Sequence, residues 1–349
     1  MKDKSGFQQS LIILLVFAGC LLISTLYSVK IKSSLPVFLH YLSGIIIFYG
    51  AFKIAQNDRY RKYNEYFLYL CVFYATIIAI VLLYQHFVLH ISRPNSIVRG
   101  VNIAARYLEL VIPVIISALL FKNVSSKRFL LMIMVLLTLF CGLFVTYTRG
   151  AWLATGFATV IILLVNRAYK PLIICAILSA VIFLQNSEGL SRLTSSLQMD
   201  HPNNIGRIYV WTGSLNMIRD YFWTGIGLGN FQSIYVQYYM LPGAHEDLIH
   251  AHNFLLVFAT EGGMPTVISF VLFILSSSIF IFRGIKSMPD SNYRKLAIGM
   301  SMAAVALLIH GMVDSAFRKP LLWIIFMFEL GFCFGLIKHY GYKVQYKLN

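Results

Sequence analysis

LIILLVFAGCLLISTLY, residues 11–27, contains no charged residue and nothing more polar than Ser24 and Thr25. A run of this length and apolarity matches the hydrocarbon thickness of a bilayer. Lys2 and Lys4 precede it, and Lys30 and Lys32 follow. A signal peptide starts in the same way, but no small-residue cleavage site follows the run. It reads as the first transmembrane helix.

Comparable blocks recur along the chain at 35–52, 66–89, 104–121, 129–147, 150–166, 171–185, 252–282, 296–314 and 320–337. Together these give an all-α, polytopic transmembrane bundle of about ten spans. The eighth block is long, and Gly262, Gly263 and Pro265 should break or bend it. Of the 349 residues, 58% are hydrophobic and 12% are charged, whereas soluble domains carry about 25% charge. The whole of 1–349 therefore reads as a single integral membrane domain. The five cysteines all fall inside apolar blocks, where they read as small buried hydrophobes.

A net charge of +16 raises the question of nucleic acid, but most of the Lys and Arg sit in short clusters between spans. Such clusters fix membrane orientation. Lys53, Arg59, Arg61 and Lys62, then Lys122, Lys127 and Arg128, then Arg283, Lys286, Arg294 and Lys295 fall on the same side as both termini. That side is assigned to the cytoplasm. The one long polar stretch, 186–250, then forms an extracytoplasmic loop subdomain.

Unusual residues gather on that outer side. Thr148-Arg149-Gly150-Ala151-Trp152 forms a tight connection between two spans, and a guanidinium at the hydrocarbon boundary is costly. Asn203-Asn204-Ile205-Gly206-Arg207 suits a helix start. Ile208, Trp211, Leu215 and Ile218 then share one face of an interfacial helix. Gly225-Ile226-Gly227-Leu228-Gly229-Asn230-Phe231 lacks the spacing of a dinucleotide fingerprint, and reads as a tight backbone path or a close approach to a ligand. His250-Ala251-His252-Asn253 opens the eighth block. No Cys, Asp or third His lies near the two imidazoles at a usual ligand spacing, so no metal is assigned. Glu261 must be hydrogen-bonded, protonated or paired at its depth. His310 and Asp314 stand one helical turn apart and are expected to pair, with Arg318 just beyond. Arg106 and Glu109 read as charge compensation.

The order of these motifs resembles the O-antigen ligase and Wzy-type polymerase superfamily. Arg149 in its turn, Gly206-Arg207 with Trp211, the 225–231 glycine stretch, His252-Asn253 with Glu261 and Gly263, and later His310 and Asp314 carry the resemblance, over roughly residues 130–320. Thr266 departs from the glycine found after the proline in many relatives, and the chain is shorter than many of them.

The resemblance implies a GT-C-like inner-membrane glycosyltransferase with its active site on the extracytoplasmic face. It implies a polyprenyl-diphosphate-linked glycan donor, such as undecaprenyl diphosphate carries. The acceptor would be lipid A–core, as in lipopolysaccharide biosynthesis, or another envelope glycan. No cofactor, metal or nucleotide sugar is implied. Arg149 and Arg207 would hold the diphosphate, and His252 would act as general base. Asn253, Glu261, His310, Asp314, Arg318 and Trp211 would bind substrate or support the site. Direct displacement would invert the anomeric centre. The alternatives are a polymerase of carrier-linked repeats and a transporter of lipid-linked sugars. A transporter should carry such residues on a path to both faces or show an inverted repeat, and the sequence has neither feature.

Overall fold

The computed structural model describes residues 3–185, 202–244 and 250–341. Helices occupy most of them, and no strand occurs among the described residues. The chain runs through α1 (Asp3–Leu26), α2 (Ile31–Ala55), α3 (Arg61–Phe87), α4 (Val101–Leu119), α5 (Ser126–Val145), α6 (Arg149–Val165) and α7 (Tyr169–Gln185). It continues through α8 (Pro202–Asp220), the one-turn α9 (Phe231–Ile234), α10 (Phe254–Gly262), α11 (Met264–Ser287), α12 (Asn292–Gly311) and α13 (Pro320–Leu336). Within the expected 186–250 loop, residues 186–201 and 245–249 lie outside the described residues.

Among the described residues, eight helices are long and apolar enough to cross a membrane, and α6 is a shorter apolar helix of 17 residues. The α7 helix, also 17 residues, covers the expected seventh block. The eighth block does not run through. It splits at Gly263 into α10 and α11. This is a polytopic helical membrane protein.

In α1, Leu14, Phe17 and Leu21 are buried at helical spacing, while Ile12, Leu15, Val16, Leu22, Ile23 and Leu26 are exposed. An ordinary amphipathic helix would turn charges outward on that second face. Apolar side chains on both faces match an environment of protein on one side and acyl chains on the other.

The chain forms two compact units, each interleaved in sequence. The larger comprises Phe48–Leu197, Gly284–His310 and Ile325–Asn349. The α4 helix is its most enclosed early span, buried continuously from Ala104 to Ser117. Small residues let its helices approach closely. A Cβ on Gly142 would lie 2.8 Å from that of Ala79, and Ala154, Ala158 and Ala306 share a tightly packed seam. Glu329 on α13 is fully buried, and neither carboxylate oxygen has a hydrogen-bond partner among the described residues.

The smaller unit comprises Met1–Ile47, Gln198–Arg283 and Gly311–Ile324. Its core is aromatic. Phe17, Tyr41, Phe258, Phe270, Phe317 and Trp323 pack ring on ring, with Trp323 edge-on to Tyr41 at 5.3 Å and to Phe317 at the same distance. The Trp323 indole N–H donates to the Tyr41 carbonyl at 2.9 Å.

The glycine stretch docks on the end of α10. Helix ends leave carbonyls without partners, and here the loop supplies donors. Ile226 N–H donates to Thr260 O at 2.9 Å and Gly227 N–H to Glu261 O at 3.0 Å. Ser24 Oγ on α1 adds a second donor to Glu261 O at 2.7 Å. In return, Met264 N–H donates to Phe222 O at 2.8 Å. Only glycine fits this crossing. Gly225 (φ 66°) and Gly263 (φ 78°) lie in the left-handed region, and a Cβ on either would sit 2.4 Å from a carbonyl oxygen of the other strand. The close approach expected of this stretch is therefore backbone against backbone.

Two outcomes follow. Gly263→Ala adds a strained φ and a clash, each of order 1–3 kcal/mol, and should lower the Tm in detergent and the yield of monodisperse protein. Glu329→Met removes a buried carboxyl that lacks partners. It should leave the Tm unchanged or raise it, by roughly 1–3 kcal/mol of stability; a marked drop would show that the carboxyl is held by something else.

Candidate functional site

The site begins with the backbone ahead of α10. Asn253 is its N-cap: Oδ1 accepts from Leu255 N–H at 2.8 Å and Leu256 N–H at 3.2 Å. Its amide Nδ2 donates across to Met312 O at 3.0 Å. The residue before it, His252, has φ 48°, a left-handed conformation that is uncommon for a side chain of this size. On the other side, Trp211 Nε1 of α8 donates to Ala251 O at 2.8 Å. Residues 251–253 are thus clamped by α8, by the α10 cap and by the segment after α12.

That clamp places two imidazoles beside one carboxylate. His252 Nδ1 lies 3.4 Å from Asp314 Oδ1, and His250 Nε2 lies 3.8 Å from the same oxygen. The two rings are 4.5 Å apart, centre to centre. Asp314 is buried and is fixed in turn by Ser315 N–H, which donates to Oδ1 at 2.7 Å. His250 Nδ1 is buried without a hydrogen-bond partner among the described residues. Burial pushes the His250 imidazole below its ordinary range; Asp314 opposes the shift, while His252 and Arg318 add to it. Burial likewise lowers Arg207, against the pull of Asp314. Asp314 thus acts on both Arg207 and His250, all three within one unit.

Glu261 is paired, as its depth requires. Its Oε1 accepts from Arg318 Nη1 at 3.4 Å. Arg318 sits in a 3-10 turn, Ala316–Arg318, directly after Asp314. Beside it, Tyr41, Phe254, Phe258 and Phe317 line a shallow notch that has no room for a water molecule.

Some expected residues sit elsewhere. The α12 helix ends at Gly311, so His310 and Asp314 do not share a helical face. His310 belongs to the larger unit, where its Nδ1 meets Glu109 Oε2 at 2.7 Å with both side chains buried. It is not exposed to a substrate. Trp211 and Asn253 have their polar atoms engaged by backbone, which makes them holders of the His252 segment. On α8 the packed stripe is Val210, Ser214 and Met217, while Ile208 and Leu215 are exposed. The side chains of Asn203 and Asn204 lie outside the described residues.

Arg149 is in the larger unit, as the first residue of α6. The Thr146–Thr148 turn ahead of it is pinned: Arg93 Nε donates to Thr146 O at 3.4 Å and Thr148 Oγ1 to Asn102 Oδ1 at 3.3 Å. Trp152 stacks on Phe144 at 5.2 Å and donates to Leu143 O. A cation at a helix N-terminus opposes the helix dipole. An anion there would be met by both the guanidinium and the free N–H groups.

Nothing in the sequence singles out the serines at the α1–α2 turn. Ser28 and Ser34 accept from Asn230 Nδ2, and Ser34 Oγ donates to Leu228 O, so this turn anchors the glycine loop. The pairing of Asp314 with the two imidazoles was equally hidden by its distance along the chain. Replacing the cap tests the clamp. Asn253→Ala should cost about 0.5–2 kcal/mol of stability and reduce activity further by releasing His252, whereas Asn253→Ser should recover most of the Tm.

No curated protein matches the chain. A family model described as O-antigen ligase matches residues 132–271. This stretch carries Arg149, Arg207, the glycine loop, His252, Asn253 and Glu261, and over it the chain is similar to the O-antigen ligase family.

Proposed function

We propose that this protein is a metal-independent, inverting membrane glycosyltransferase of the GT-C type. It transfers a glycan from a polyprenyl-diphosphate carrier to an envelope acceptor such as lipid A–core, on the extracytoplasmic face of the inner membrane. The observation that carries this reading is the gathering of Arg207 and His252, both within the family-matched stretch, with Asp314 in one compact unit. The clustering of Lys and Arg beside both termini supports the orientation.

In this reading His252 is the general base. Asp314, facing Nδ1, favours the tautomer with its proton on that nitrogen and leaves the Nε2 lone pair free. That lone pair takes the proton from the acceptor hydroxyl as its oxygen attacks the anomeric carbon. The bond from that carbon to the phosphate oxygen breaks, and the carrier diphosphate leaves with the electron pair. Arg207 holds the diphosphate and stabilises the charge it gains; the role of Arg149 in diphosphate binding rests on its motif alone. Asp314 is a positioning residue, and Glu261 orients Arg318.

His252→Ala should lower transfer by about 100- to 10,000-fold, the usual worth of a general base, without loss of carrier binding. Arg149→Lys should lower it by about 100-fold while the protein still inserts and keeps its Tm. Near-native rates in either variant end the corresponding role. The product is read by mass, after incubation with a polyprenyl-diphosphate glycan plus either lipid A–core or a second carrier-linked unit. Glycosylated lipid A–core supports the ligase reading and an elongated carrier-linked chain supports the polymerase. Movement of the carrier lipid across vesicles without any transfer would favour the transporter.

A further inference from the structure

We infer that His250, His252 and Asp314 form a binding site for a zinc-like divalent transition-metal cation, and that loading this site switches the transfer reaction off. One ligand atom from each residue lies within 4.8 Å of the others. Four ligands around zinc at about 2.0–2.2 Å stand roughly 3.4 Å apart. His252 Nδ1 and Asp314 Oδ1 already have that separation, His250 Nε2 stands 3.8 Å from the same oxygen, and the imidazole of His250 has to move inward to complete the set.

The supports around the site match what a bound metal requires. Asp314 Oδ1 is oriented by the Ser315 N–H, and the His252 backbone is held by the Asn253 cap and by Trp211 through Ala251. Outer contacts of this kind fix ligand geometry in metal sites. Three protein ligands leave a fourth position open for water or a phosphate oxygen.

The surrounding charge selects the kind of ion. Arg318 and Arg207 lie near the cluster, and Glu261 offsets the first of them. Guanidinium groups oppose an ion held by charge alone, such as magnesium or calcium. Imidazole nitrogens favour zinc, copper, nickel or cobalt.

The inhibitory consequence rests on the base role of His252 proposed above; the binding does not. A neutral imidazole has one protonated nitrogen and one lone pair. A metal on Nδ1 takes the lone pair there and leaves the proton on Nε2. His252 then has no pair with which to accept the acceptor's proton. His250 contributes only to the metal, so its removal separates the two properties.

The experiment uses the purified full-length protein in detergent, stripped with a chelator, with Co²⁺ as a spectroscopic probe and Zn²⁺ as competitor. One Co²⁺ per chain with a tetrahedral visible spectrum, displaced by Zn²⁺, is expected. His250→Ala and His250→Asn should each weaken Co²⁺ binding by at least tenfold while keeping the native Tm and the native metal-free transfer rate. Micromolar Zn²⁺ should inhibit the native protein reversibly and leave the His250 variants active. Absence of the Co²⁺ spectrum, or its persistence in both variants, overturns the site. Stoichiometric binding with unchanged transfer overturns the switch. Loss of activity on stripping, restored by Zn²⁺, also overturns the switch and the metal-free chemistry with it, while leaving the site standing.

Discussion

The carbonyls of Thr260 and Glu261 decide where the site can be built. They end α10 inside apolar surroundings, where a bare carbonyl is costly. Backbone donors from residues 226 and 227 and a hydroxyl from Ser24 satisfy them. This requires two chain segments to touch without side chains between them, which accounts for both Gly225 and Gly263. Because the contact joins α1, the loop after α8 and α10, it fixes one end of the helix whose other end presents His252.

The opposite end of α10 is held by different means. Asn253 divides its amide between the helix N–H groups and the Met312 carbonyl, so the cap also ties down the segment that carries Asp314. His252 is left in an uncommon backbone conformation that its neighbours enforce. Strain of this kind, of order 1–3 kcal/mol, persists only where the surroundings over-determine it. The arrangement is rigid where the imidazole must be aimed and leaves Arg207 and Arg318 as long side chains around it.

The sequence made the membrane class plain, because uncharged apolar blocks as long as a bilayer is thick would be insoluble anywhere else. It also located the break at Gly263 and the need for a partner at Glu261. The partner itself was not legible. Arg318 reaches Glu261 through a 3-10 turn that no periodicity announces. The expected pairing of His310 with Asp314 assumed a continuous helix, but α12 stops at Gly311 and the two residues turn to different partners. The family resemblance put Trp211 and Asn253 among the groups that bind substrate or support the site. Their hydrogen bonds go to backbone instead, a choice that depends on neighbours distant in sequence.

The α12 helix is a poor membrane segment by itself. Its mean hydropathy of 1.2 is the lowest among the spans, and 72% of its window is buried in protein. It carries His310, which finds its carboxylate on α4. The ribosome makes α4 long before α12, so Glu109 enters the bilayer ahead of its imidazole. Biogenesis of this unit therefore includes an interval before His310 reaches Glu109, and the late helix is recruited by protein already in place more than by lipid.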